Sequence, residues 1–189
     1  MKKVYKTLAT ASSQVRKNMS WIKSGVYFTT IDAEVKAKLD ALDQQLLALA
    51  NQRGFTKPVV RNILPKTDLG LTNEVWSWTL SSANNYNAVI SNLDLQKKKV
   101  IGFVGVYYPS SNPLVSIVKF TAGTGDTKIK DYWNIEHVSA LEKPFALSDN
   151  FIIYDYDNVV NIYFYAKATG TDNLVLLGRV AEPSGVLLT

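Results

Sequence analysis

His137 is the one histidine in the 189 residues, so a Ser-His-Asp relay or a histidine-ligated metal would have to be built around it. It follows Glu136 at the end of an apolar run with no ligand-spaced neighbour, and reads as a surface or packing residue. Asp155, Asp157 and Asn158 cluster oxygen donors as a calcium loop does, but the glycine and distal glutamate of such a loop are missing. A polar turn between strands accounts for them. Gly123-Thr124-Gly125-Asp126-Thr127-Lys128 lacks phosphate-loop spacing, and no helix follows to aim its N-terminus at an anion, so it reads as a hairpin turn. Lys97-Lys98-Lys99 precedes a strand and reads as an exposed turn that protects a strand edge. Trp76 and Trp78, two residues apart on one strand face, would offer a sugar ring a stacking platform together with Trp133 and Tyr86. The competing expectation is core, because each indole buries a large apolar area. No pair of carboxylates singles itself out for glycoside hydrolysis. The expectation is a protein that is not an enzyme and carries no metal or cofactor.

The charge is more informative. Lys2, Lys3, Lys6, Arg16, Lys17 and Lys23 fall in the first 31 residues without one carboxylate, while the other 158 residues hold 15 Lys+Arg against 16 Asp+Glu. The formal +5 therefore divides into +6 and −1, which suggests a polyanion-binding arm and a body that meets other protein. Cysteine is absent, so disulfides and thiolate chemistry are excluded and stability must come from packing. No apolar run approaches the roughly 20 residues that span a bilayer. Lys6 and Thr7 interrupt any signal-peptide core after Lys2-Lys3, so a soluble product is expected.

Four segments position these residues: a basic arm over 1–28, an amphipathic helix over 29–54, a linker over 55–72 and a β domain over 73–189. Within the arm, Val4, Leu8, Ala11 and Val15 could line a helical stripe. Thr29 with Asp32 three residues on reads as a helix cap, and Gly54 as the stop. Val35, Leu39, Leu42, Leu46 and Leu49 form the packing seam, more naturally laid on the chain's own domain than in a coiled coil. Pro58, Pro65 and Gly70 mark the linker. Strand-like runs follow at Val75–Leu80, Lys99–Tyr108, Leu114–Thr121, Ile129–His137, Phe151–Tyr156, Val159–Ala168, Asn173–Arg179 and Gly185–Leu188, separated by turn signals. Seven or eight short strands without interleaved helices indicate an antiparallel sandwich or barrel. Ile101–Tyr108 and Val159–Ala168 carry apolar or aromatic residues on both faces, where a sandwich has one interior. One helix could hardly cover both outer sheets, so contacts between subunits are expected there.

The run Trp76-Ser77-Trp78, the central Val100-Ile101-Gly102-Phe103-Val104-Gly105-Val106 and the closing Gly178-Arg179-Val180-Ala181-Glu182-Pro183-Ser184-Gly185 lie in a cysteine-free β domain behind a basic, helix-bearing segment. In strand number and segment order the chain resembles the single jelly-roll virion structural proteins of viruses infecting prokaryotes, over Val75 to Thr189. The resemblance implies a mainly β, jelly-roll sandwich that packs side by side into a capsid, vertex or decoration layer of the virion after synthesis in the host cytoplasm. It implies that Met1–Phe28 reaches inward to membrane, genome or neighbouring subunits, and it brings no catalytic residues. The alternative is a carbohydrate-binding β-sandwich, such as a spike or fibre head or a secreted lectin-like domain, that displays Trp76, Trp78 or Trp133 to a glycan.

Overall fold

Apolar residues three or four positions apart make one buried stripe of Val35, Leu39, Leu42, Leu46 and Ala50 along helix α1 (Ala33–Gln52). The computed structural model describes residues 33–95, 98–139 and 144–185. The basic arm, the Val4–Val15 stripe and the Thr29 and Asp32 cap lie outside them. At the far end Gly54 takes φ 75°, and the Phe55 N–H returns to the Ala50 carbonyl at 3.0 Å, a left-handed stop that a side chain would resist. Leu49 of the expected seam is half-buried, and Ala50 takes the buried place, because a 3.6-residue helix drifts off a heptad.

The rest is mainly β: β1 (Pro58–Asn62), a one-turn α2 (Pro65–Leu69), β2 (Trp78–Leu80), β3 (Asn85–Asp94), β4 (Val100–Tyr107), β5 (Val115–Ala122), β6 (Lys128–Asn134), β7 (Phe145–Tyr154), β8 (Val159–Ala166), β9 (Gly170–Asp172) and β10 (Val175–Pro183). One four-stranded sheet runs β1-β10-β4-β7 and the other β3-β8-β5-β6, with β2-β9 as a short separate ladder. Every ladder is antiparallel. The sheets meet where Phe103 of β4 lies 5.6 Å from Phe120 of β5, whose ring also packs edge-on at 4.5 Å against Trp133 of β6 in its own sheet.

Segment 55–72, read as a linker from its prolines, contains β1, which pairs with β10 from Pro58↔Pro183 to Asn62↔Arg179. Pro58 is tolerated because it opens an edge strand, where no partner needs its missing N–H. The β3 strand escapes the pattern for another reason. Its register shifts at Ala88/Ile90 and Ile90/Leu93 break the alternation, and only Asn87 and Ile90 are buried. The last strand continues to Pro183, past the expected end at Arg179, and Gly185 lies in a turn.

Both faces of β4 are buried, and the cover is intramolecular. Helix α1 lies across β10, β4 and β1, so the expected subunit contact at Ile101–Tyr108 is corrected to a contact with the chain's own helix. Glycine permits the close approach: a Cβ on Gly102 would come within 2.6 Å of Leu42 Cδ1 and 3.3 Å of Leu46 Cδ2. Polar ties fix the helix along its length. Lys38 Nζ donates to the Ser148 and Asp149 carbonyls at 3.2 Å each, Arg179 Nε to Asp43 at 3.0 Å, and Arg53 Nε to Asp155 at 2.7 Å.

Where β10 shifts register, a Cβ on Gly178 would meet the Gly102 carbonyl oxygen at 2.3 Å and Ile63 Cδ1 at 2.8 Å. Gly178→Ala is therefore expected to cost about 1–3 kcal/mol through overpacking. Urea unfolding should show a lower midpoint at an unchanged slope. An unmoved midpoint would mean that β10 and β4 separate freely.

Candidate functional site

His137 stands exposed in a shallow cleft with Ser111, Glu136, Ser139 and Lys167. Among the described residues no hydrogen bond joins its ring to a hydroxyl or carboxylate, so no base is aligned with a nucleophile. Asp155 receives Arg53, Asp157 receives the Asn158 amide at 2.9 Å, and no cluster suited to a metal ion occurs among the described residues. Gly123 to Thr127 form the turn between β5 and β6, and Lys128 opens β6. Of the lysine triplet, Lys97 lies outside the described residues, and Lys99 turns inward to Asp68 at 2.8 Å. Among the described residues no helix is long and apolar enough to cross a membrane.

The tryptophan platform is corrected by burial. Trp76, Trp78 and Trp133 are all in the core, at 5%, 3% and 9% exposure, and offer no ring face to a glycan. Trp78 donates its indole N–H to the Leu174 carbonyl at 2.6 Å and packs edge-on against Phe164 at 5.0 Å. The seam residues Val35, Leu39, Leu42 and Leu46 are likewise buried, against the first sheet. Lys2, Lys3, Lys6, Arg16, Lys17 and Lys23 lie outside the described residues.

A charged cluster that spacing did not reveal locks β1 and α2 onto β10. Arg61 reaches Asp68 at 2.5 and 2.8 Å and Glu182 at 2.8 and 2.9 Å, while Asp68 also takes the Leu64 N–H at 2.7 Å. Burial alone would raise the Asp68 pKa. The hydrogen bonds from Arg61 and Lys99 outweigh it and hold the carboxyl below its usual range. A lowered folded pKa stabilises above the unfolded value, near about 3.9, and the benefit is lost as pH falls through the folded value. Asp43 has the opposite sign, because its burial outweighs the nearby Arg179 and raises its pKa. Asp68→Asn is expected to cost about 3 kcal/mol at neutral pH, leaving Lys99 without its carboxylate, and to flatten the acid limb of stability against pH. Parallel acid limbs for the two proteins would show that Asp68 contributes nothing there.

Among the described residues, no helix covers the outer face of the second sheet. Cross-strand pairing sets Tyr86, Tyr165, Ile117 and Asn134 in one row, and Ala88, Tyr163, Lys119 and Tyr132 in the next. Tyr86 and Tyr132 are 37% and 46% exposed, and the Tyr86 and Tyr165 rings meet edge-on at 5.3 Å. Lys119 Nζ sits 5.0 Å from the Tyr163 ring centre and 5.7 Å from that of Tyr86. The β5–β6 turn curls over one end: Asp126 accepts the Thr121 and Tyr163 hydroxyls, and Asn161 Nδ2 donates to the Gly123 carbonyl at 3.0 Å. Burial, then the bond to Asp126, pushes the Tyr163 pKa up to about 12. Tyr163 and Tyr165 were visible as the second face of β8. Lys119 and Tyr132 belong to no motif, and the one signal for Lys119 is alternation along Val115–Ala122, which places it on the face opposite Val118 and Phe120.

No protein-family model matches the chain, and no curated protein matches it either.

Proposed function

We propose that this chain is a non-enzymatic virion structural protein, a single jelly roll that assembles through its β domain into a capsid or capsid-associated layer. Strand order is the observation that carries the proposal. The eight main strands pair first with last: β1 with β10, β3 with β8, β4 with β7 and β5 with β6. A long antiparallel ribbon rolled into two sheets gives that order, which is the logic of a jelly roll. Subunits of this kind meet side by side at the sheet rims, formed here by β1, β7, β3 and β6, so that assembly needs neither the first sheet's face under α1 nor the outer face of the second sheet. The basic segment ahead of α1 then contacts membrane, genome or a neighbouring subunit.

Salt dependence tests the basic segment on full-length protein. Six phosphate contacts should give a log–log slope for DNA binding near −4 to −5, at about −0.7 to −0.9 per contact. Neutralising Lys2, Lys3, Lys6, Arg16, Lys17 and Lys23 should abolish it. Anionic lipid is the rival partner, because Trp21, Ile22, Val26, Tyr27 and Phe28 follow the charges as a second anchoring signal. Replacing Trp21, Tyr27 and Phe28 by Ser should weaken vesicle binding and spare DNA. Binding to neither at low salt would remove the polyanion role.

A further inference from the structure

We propose that the tyrosine-rich outer face of the β3-β8-β5-β6 sheet is a binding site for a carboxylate-bearing sugar. Lys119 is the one cation in its two rows, and among the described residues no carboxylate lies within ion-pair distance of it. Asp126 acts on it only at longer range, its own carboxylate being engaged by Thr121 and Tyr163. Lys119 is a half-buried residue whose ammonium stands over two tyrosine rings, and the low-dielectric surface beneath strengthens its attraction for an added anion. The exposed Tyr86 and Tyr132 offer apolar ring surface to the C–H side of a sugar, and Asn134 at the row's end offers an amide to its hydroxyls.

Size and charge favour a sugar over a second copy of the chain. Three inter-strand gaps of about 4.8 Å make the patch about 14 Å wide, with rows about 7 Å apart. A stable protein interface takes about 800 Å² from each partner, several times that extent. A two-fold contact centred on the face would also oppose Lys119 to its own mate. Helix α1 lies on the other sheet, so this site and the start of the described chain are on opposite sides of the sandwich. The sugar site does not depend on assembly.

Calorimetric titration of full-length protein with trigalacturonate, in about 150 mM salt to screen the basic segment, tests the proposal. Saturable binding is expected, weaker for uncharged maltotriose. It should weaken about tenfold or more in both Tyr132→Ala and Lys119→Met, with thermal midpoints close to that of the parent. Neutralising the six N-terminal cations should leave it intact. Absence of saturable binding, or binding that survives Lys119→Met and vanishes with those six cations, overturns the proposal. A fall in sedimenting mass on Tyr132→Ala, without any change in sugar binding, would assign the face to subunit contact instead. A chain that stays monomeric yet binds the trisaccharide would retain the site and reject the virion proposal.

Discussion

Replacing Trp78 by alanine is expected to cost about 3–5 kcal/mol and to abolish or nearly abolish the cooperative fold. The indole is buried between Phe164 at 5.0 Å and Trp76 at 5.9 Å, and its N–H satisfies the Leu174 carbonyl. Truncation would leave both a large cavity and a buried acceptor without its donor. On the β2 side the short β2-β9 ladder is held by the buried side chains of Trp78 and Leu80, while Asp172 of β9 is tied separately to the Tyr108 hydroxyl and the Leu114 N–H. Urea unfolding followed by circular dichroism measures the loss. A variant with an almost unchanged midpoint that no longer binds a polysaccharide column would restore the tryptophan platform and displace the tyrosine face.

The double change Leu42→Asp with Leu46→Asp is expected to lower the thermal transition of the β domain, with a total cost of about 5 kcal/mol or more. Both leucines have no exposed surface and lie over Gly102, so each new carboxylate would be buried against the sheet, where Arg179, the register partner of Gly102, is already engaged by Asp43 and Asn62. Were α1 instead a trimerising helix, the same variant would lose oligomer mass and keep its β transition. Calorimetry and light scattering on one sample separate the two. An unchanged transition with an unchanged mass would put the stripe in solvent, against the burial seen along α1.

Helix α1 was legible because one stripe and one glycine stop determine it locally. The central strands β4, β5, β8 and β10 were legible through their dense apolar runs. What sequence alone concealed lies at the edges. Pro58 and Pro65 disguise β1, two register shifts disguise β3, and β9 sits in a segment whose Gly170-Thr171-Asp172-Asn173 composition signals a turn. Spacing could not tell whether Trp76 and Trp78 face the core or solvent, since a same-face pair suits either. The Arg61–Asp68–Glu182 cluster draws on residues up to 121 positions apart, so only the β1-β10 pairing brings it together. The tyrosine face likewise needs four strands in register before Lys119 appears at its centre.

Sedimentation velocity on the full-length protein across a wide concentration range, with and without nucleic acid, tests the structural role most directly. A shell-forming jelly roll should sediment as assemblies many times the 21.0 kDa chain, growing with concentration. A single 21.0 kDa species at every concentration, unmoved by nucleic acid, would contradict it.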